Sequence, residues 1–514
     1  MNFLNFLRRV FGMDKKKSKG TFRKAYKTDM TIQERLDFNA NALKNMVWYR
    51  GDSSELSQLY SKYGVGGPKS FWGAESKKGV LKKSTGFASK IVNSINNITL
   101  SDFNAIDFKD EEDKSLWDKI AKYNKFKKLI EKVNTGTLVV GDGALKITYD
   151  ESISDLPLFE YYTGDNVEFN YVRGRIVEVI FKTEYVYNDK NYLLYESYGY
   201  GYIKSALFDG DAEIPLDSIP QTTGLSPIVT FGGYTEDEEG NAITRGEYML
   251  ACPIMYYNSS KYEGRGRSIF DGREDIFDAI DEIDSQIIYT LRQARPNKFI
   301  PDCFLEYDSK GNCQTVSDFD NEFTVIASTP GSQDKEEIKV VQADLPISQL
   351  KEALYLKIEE ALVGLLSPST LGFDLKKTDN AESQREKEKT TLYTRSAIVE
   401  TLSEDLIDFC SSALRSYYEL HGMQKEVSDV SVEFGDYAAP DSSTLIEMLT
   451  KTDIDKLFSR RTRLDIFWGD SKSEEWKDEE EKRMDEERGV VEVSEPDFGF
   501  DDFDEGFGVN TEDE

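Results

Sequence analysis

SIFDGREDIFDAIDEIDSQIIYTLRQARP, residues 268–296, is the stretch from which the fold can be read outward. Ile276, Ile280, Ile283, Ile287 and Leu291 recur at steps of four, three, four and four, so they share one face of an α-helix. Ser268, with Asp271 three residues later, makes a helix start. Asp271, Glu274, Asp275 and Asp278 crowd the first turns and Arg292 and Arg295 the last, as the macrodipole favours. Pro296 supplies the stop. At 1.5 Å per residue the helix would be about 40 Å long. An ordinary amphipathic core helix has the same periodicity, so the chain around it has to decide.

Downstream, residues 297–346 read as a small module with strand-like Phe299–Pro301, Cys303–Tyr307, Phe323–Ala327 and Ile338–Gln342. A second helix begins near Ile347 and places Leu350, Leu354, Ile358, Ala361 and Leu365 on one face before Ser367-Pro368 ends it. A turn-rich stretch, SPSTLGFDLKKTDN (367–380), precedes a third helical pattern from Ala381 to about His421. That helix starts polar, then carries an apolar stripe of Leu392, Val399, Leu402, Leu406, Phe409, Ala413 and Tyr417. Two long helices bracketing a small β module, then a loop, then a very long helix, is an unusual order.

Upstream, WYRGDSSELSQLYSKYG (48–64) has Leu56, Leu59, Tyr60 and Tyr63 at helical spacing. TGFASKIVNSINNITLSD (85–102) reads as a short helix with a β-like exit, and 114–134 as a third helix. TLVVGDGALKITYD (137–150) reads as two strands about a Gly-Asp-Gly turn. Alternating Tyr-, Val- and Ile-rich runs follow at Pro157–Tyr162, Val167–Tyr171, Ile176–Tyr187 and Asn191–Tyr200. This is an α+β domain with an antiparallel sheet, closed by GLSPIVTFGG (224–233). Beyond the long helix, 425–437 is one more strand region and 441–467 is helical again.

The 514 residues suffice for two or three domains with real cores. The net charge of −31 excludes a general nucleic-acid coat, which needs basic surface to displace counterions. Cys252, Cys303, Cys313 and Cys410 lie far apart with no C-x-x-C, which suits a reducing compartment without disulfides or structural zinc. No apolar run approaches the ~20 residues of a membrane span, and the N-terminus has no signal-peptide core. The two ends differ from the rest. Residues 1–30 carry nine Lys and Arg against two acids, a basic arm expected to be flexible. Residues 470–514 carry twenty acids against five basic residues, with Phe498, Phe500, Phe503 and Phe507 among them, a composition expected to be disordered.

Signatures of catalysis are missing. No G-x-x-x-x-G-K-[ST] occurs, so no P-loop motor is expected, and no G-x-S-x-G elbow. His421 is the only histidine, which excludes an H-E-x-x-H zinc site and argues against a Ser-His-Asp triad; a helix-end position beside Gly422 is the expectation. The acidic clusters have no calcium-loop spacing. The reading is a non-enzyme without cofactor or metal. Lys376 and Lys377 stand out as a basic pair in the loop between the second and third helices of an acidic chain. They are either solvated, or positive charges facing a phosphate backbone.

The order of these elements meets specific residues. They are Trp48-Tyr49-Arg50-Gly51 with Leu59-Tyr60, Ala88 to Val92, Gly141-Asp142-Gly143-Ala144-Leu145-Lys146 and Gly266-Arg267-Ser268. Asn380-Ala381-Glu382-Ser383 opens the long helix, and Phe458 to Thr462 precedes an acidic helix. In this order the chain, over about residues 30–490, resembles the portal proteins of long-tailed bacteriophages. The resemblance implies a portal fold that forms a dodecameric ring at one capsid vertex, with double-stranded DNA passing through its channel in packaging and ejection. It implies a β-rich wing (31–267), a two-helix stem (268–296 and 347–367) around a small α/β clip (297–346), and a tunnel loop (368–380) carrying Lys376 and Lys377. A long helix and wing return (381–439) and a helical crown (440–489) follow, and the acidic tail (490–514) lies outside the pattern. Ile276, Ile280, Ile283, Ile287, Leu291, Leu350, Leu354, Ile358 and Leu365 would then pack the stem. The implied partners are further copies of the chain, the major capsid and scaffolding proteins, the terminase large subunit and a head–tail connector. The implied location is the virion, with assembly in the host cytoplasm. A different connector ring of the head–tail junction, or a helical-bundle binding protein of low oligomeric order, are the competing readings.

Overall fold

The computed structural model describes residues 34–65, 70–74, 80–101, 103–236, 242–293, 297–301, 309, 323–327, 339–341, 346–372, 381–435 and 474–487. The chain divides into two compact units, Met1–Tyr437 and Ala438–Glu514.

The described part of the first unit begins with two helices, α1 (Phe38–Arg50) and α2 (Ser53–Lys62). The helical spacing of Leu56, Leu59 and Tyr60 falls on α2, with Tyr63 at its end, and Trp48 to Arg50 belong to α1. Gly51 sits at φ +64 and ends α1, and the Asp52 carboxylate restarts the chain by accepting the Ser54 and Glu55 N–H groups. Helix α3 (Phe87–Leu100) then runs into strand β1 (Phe103–Phe108), the expected β-like exit.

Two sequence expectations fail in the next stretch. The single helix read at 114–134 is α4 (Glu111–Tyr123) followed by α5 (Phe126–Val140), with Lys125 between them at φ +50. Asn124 forces the break. Its amide donates to the Ile120 and Pro157 carbonyls and accepts the Phe159 N–H, so the chain is fastened to a strand at that point. The run 137–140, read as a strand, is instead the last turn of α5. Leu138, Val139 and Val140 are buried on every side, and a fully buried apolar run shows no period that separates helix from strand.

The strands follow as β2 (Gly143–Asp150), β3 (Ser154–Thr163), β4 (Val167–Val172), β5 (Arg175–Tyr187), β6 (Lys190–Gly199), β7 (Tyr202–Asp209), β8 (Ala212–Ile214) and β9 (Ile228–Thr230). A short pair, β10 (Thr235–Glu236) and β11 (Ala242–Thr244), precedes β12 (Ala251–Ile254). Strands β4 to β8 form an antiparallel meander with β9 alongside β7. A second antiparallel sheet has the order β12-β2-β3.

Helix α6 (Glu274–Gln293), strands β13 (Asn297–Pro301), β14 (Phe323–Ile326) and β15 (Lys339–Val341), and helix α7 (Ile347–Leu362) come next. β13 lies between β14, parallel to it, and β15, antiparallel. Of the strand-like runs read here, Cys303–Tyr307 lies outside the described residues.

Helix α8 (Ala381–Leu420) runs for 40 residues and buries Ile398, Leu402, Leu406, Phe409, Ala413 and Leu414. Phe409 meets Phe159 at 4.8 Å, next to Phe126 and Trp117 in the same core. Strand β16 (Val430–Phe434) pairs antiparallel with β1 and returns the chain to its start.

In the second unit, α9 (Glu474–Glu487) is the acidic helix expected after Phe458 to Thr462, and it forms despite a composition from 470 onward that by itself suggested disorder. Its Glu, Lys and Met residues favour helix, and Arg483 pairs with Glu479 and Glu480 one turn back. The helical expectation for 441–467 lies outside the described residues.

Candidate functional site

The expected stem residues other than Leu365 lie on α6 and α7, which pack against each other. Ile280, Ile358 and Leu365 are buried, and Ile276, Ile283, Ile287, Leu350 and Leu354 are half-buried. Leu291 is 49 % exposed, so the far end of the expected stripe is uncovered among the described residues. Leu365 sits just past the end of α7 in a turn, its N–H bonded to the Leu362 carbonyl. On the outward side of α7, Leu356 is 60 % exposed beside a hollow of about 480 Å³ lined by Ser348, Lys351, Glu352 and Glu359.

The start of α6 differs from the sequence reading. The regular helix begins at Glu274, and residues 268–273 form a turn. Ser268 is buried; its hydroxyl donates to the Val139 carbonyl at 2.6 Å and accepts the Phe270 N–H. It ties this turn to α5, where the sequence reading had it capping a helix. Arg273 spans the pair, donating to the Ala361 and Val363 carbonyls at the end of α7.

The acids of α6 are not simply dipole partners. Asp278 accepts the Phe71 and Trp72 N–H groups. Asp281 accepts the Trp72 indole N–H at 3.1 Å and both the N–H and hydroxyl of Thr85. Ser285 accepts the Lys83 N–H. These three polar residues, spaced three and four apart, hold Phe71, Trp72, Lys83 and Thr85 against the helix. Burial pushes the Asp281 carboxyl up to about 6, with the hydrogen bonds offsetting part of the rise. At the same end, Lys44 pairs with Glu274, and Asn41 and Asn45 donate to Asp271. In the sequence this stripe is indistinguishable from a solvated acidic face. The one visible signal is that it borders the apolar stripe directly.

The two glycine motifs meet. Asp142 is fully buried and accepts Arg265 Nε at 2.9 Å, Arg265 NH2 at 2.7 Å and the Gly266 N–H at 2.7 Å. Gly141 lies at φ +120, and a Cβ there would stand 2.6 Å from the Gly266 carbonyl oxygen. Lys146, at the end of the first motif, is buried against Glu196 at 2.6 Å, with Tyr162, Phe181 and Tyr198 rings around its ammonium. The motifs therefore act as a joint between α5, β2 and the approach to α6.

Lys376 and Lys377 lie outside the described residues. The chain leading to them is anchored on α8. The Ser367 N–H donates to the Thr391 hydroxyl, and the Thr394 hydroxyl donates to the Leu365 carbonyl. His421 lies one residue past α8, its Nδ1 at 2.8 Å from the Tyr417 carbonyl and its ring against that of Tyr417. Among the described residues, no group of three or more His, Cys, Asp or Glu could hold a metal ion, and no helix is long and apolar enough to cross a membrane.

A family model described as "Phage portal protein, SPP1 Gp6-like" matches residues 32–487. No curated protein matches the sequence. Solved structures similar to the chain include one from the virion of a native gene transfer agent particle, at 11 % identity over 83 % of this chain and 93 % of that one, TM-score 0.41. Another is from the neck of the native particle computed with C12 symmetry, at 12 % identity over 83 % and 98 %, TM-score 0.40. A third is from the neck of the empty particle computed with C6 symmetry, at 13 % identity over 82 % and 94 %, TM-score 0.38.

Proposed function

The chain belongs to the phage portal protein family of SPP1 Gp6-like type, and from that premise we propose that it assembles as a dodecameric ring at one capsid vertex and forms the channel through which double-stranded DNA is packaged and ejected. In this reading α6 and α7 are the stem, β13 to β15 belong to the clip, residues 31–267 with α8 and β16 make the wing, and 440–489 the crown. The clip would dock the terminase large subunit during packaging and a head–tail connector afterwards. The wing and crown would face the major capsid and scaffolding proteins.

One observation carries the reading beyond family membership. The α6–α7 pair is fastened at one end within its own chain, while Leu291 and Leu356 present apolar side chains that have no cover among the described residues. A neighbouring copy is the economical cover, because a closed ring repeats the same contact around an axis. Electrostatics fits passage of DNA. A chain of charge −31 repels the duplex, so it slides. Lys376 and Lys377, repeated around the ring, would supply weak holding that reads no bases. Mass measurement and electron micrographs of the purified protein test the proposal. Rings near twelve times the 58.6 kDa of one chain support it; single chains or dimers at all concentrations overturn it.

A further inference from the structure

The α4–α5 region reverses the charge of the chain around it. Residues 114–132 hold seven lysines and two acids, in a protein of net charge −31. The fold gathers part of this charge around one groove of about 720 Å³ between β1, α4 and α5. Its floor is apolar, made of Phe103, Ile106, Trp117, Ala121 and Phe126. Its rim carries Lys114, Lys122, Lys125, Lys127 and Lys128 against Asp107 and Asp118, five positive charges to two negative. The break at Asn124 creates this arrangement. With Lys125 at φ +50, the chain turns sharply, and four lysines fan out within seven residues above the Trp117 and Phe126 rings, which meet edge to face at 5.1 Å.

Lys114, on the same groove, is matched by Asp107 at 2.8 Å. The other four rim lysines are exposed, and among the described residues none has an ion-pair partner. Like charges three or four residues apart disfavour a helix, so this crowding opposes the local fold. A ligand that relieves it must be anionic. A ligand that fills the groove must also carry an apolar group, since the floor offers little to hydrogen-bond. Duplex DNA supplies the charge without the apolar group. Trp117, Phe126 and Ile106 are almost completely buried, so the accessible part of the floor is the half-buried Phe103 and Ala121, an apolar surface with Trp117 directly beneath it.

We propose that this groove docks an acidic peptide segment of a partner protein, whose aromatic side chain anchors on the floor while its carboxylates pair with Lys122, Lys125, Lys127 and Lys128. Anchor-plus-charge recognition of this kind places affinity in the buried side chain and on-rate in the rim. The proposal does not depend on the portal reading.

The test uses the full chain and a fluorescent twelve-residue peptide of aspartates with one central Phe, at low salt. Binding should weaken at least tenfold when the Phe is replaced by Ala. It should also weaken at least tenfold with the K122E/K127E/K128E protein, whose melting temperature should not fall below wild type because all three side chains are exposed and their crowding opposes the fold. Trp117 fluorescence should change with the Phe peptide and not with the Ala peptide. Equal binding of the two peptides would reduce the groove to a bare charge patch and overturn the proposal. Failure of the wild-type protein to bind the Phe peptide would overturn it too, as would stronger binding by a DNA duplex that depends on the same lysines.

Discussion

Phe277, Ile280 and Asp281, near the base of α6, are almost completely buried, whereas Leu291, about three turns further along the same helix, is 49 % exposed. On α7 the contrast runs across the helix: Ile358 and Ala361 face inward, and Leu356 outward at 60 % exposure. The base is held by its own chain through the aromatic neighbours of Phe277, the Asp278 and Asp281 acceptors and the Arg273 span. The outer reach is apolar without being covered by the described residues. A single periodic stripe therefore has two uses, one completed inside the chain and one left for another copy.

The largest effect should come from emptying the base. Phe277 packs on Trp48, Phe87 and Phe270, so Phe277→Ala should cost about 3–5 kcal/mol, read as a large fall in the chemical denaturation midpoint. If Phe277→Ala and Leu291→Ala cost the same in a monomeric sample, the division between base and outer reach is wrong.

Next comes the polar clamp. Asp281→Ala leaves the Trp72 indole N–H and the Thr85 N–H without their acceptor, at about 1–3 kcal/mol. The chain around Trp72 and around Thr85 should then be cut faster by protease than in wild type. Unchanged cleavage there would show that the clamp does not hold the chain at these points.

A smaller, pH-dependent effect should come from Asp405 on α8. Burial, then the neighbouring Asp408 and Glu404, push its carboxyl up to about 7. Because the folded value lies above the unfolded one, the folded state binds the extra proton. The associated stability is present below about pH 4 and is lost as pH rises through about 7. Asp405→Asn should flatten this slope and make the variant the more stable form at pH 8. Asp113 works in the opposite sense. Burial raises it, but hydrogen bonds from Lys425, Tyr418 and Ser428 outweigh that and bring it to about 2. Its contribution is present above about pH 4 and is lost as pH falls through about 2. Parallel melting curves for wild type and Asp405→Asn across pH 5–8 would contradict the assignment.

The smallest effect should follow from Lys376→Ala with Lys377→Ala. Rings should form normally, and only the length of DNA retained per filled head should change, more at low salt than at high, since exposed charges are screened over about 8 Å at physiological ionic strength. Wild-type retention at every salt concentration would leave these lysines as solvated bystanders.

What the sequence disclosed follows from periodicity. The stripes from Ile276 to Leu291, from Leu350 to Leu365 and from Leu392 to Tyr417 placed three long helices because one-sided burial repeats every 3.6 residues. It was silent where burial is complete or where a single side chain redirects the chain. Thr137–Val140 looked like a strand because every residue is inside, and the break between α4 and α5 depends on Asn124 reaching Pro157 and Phe159. The clamp of Asp278, Asp281 and Ser285 was hidden for a related reason. Its partners lie about 200 residues earlier, and a carboxylate gives no local sign of whether water or a backbone N–H will meet it.

The central claim is that the uncovered apolar side chains of the helix pair are sites of contact between copies, and Leu356→Asp tests it most directly. The side chain is exposed in the single chain, so circular dichroism and the fold of the base should be unchanged. Light scattering coupled to size exclusion should then report rings for wild type and single chains for the variant. Rings of full mass from Leu356→Asp would contradict the account.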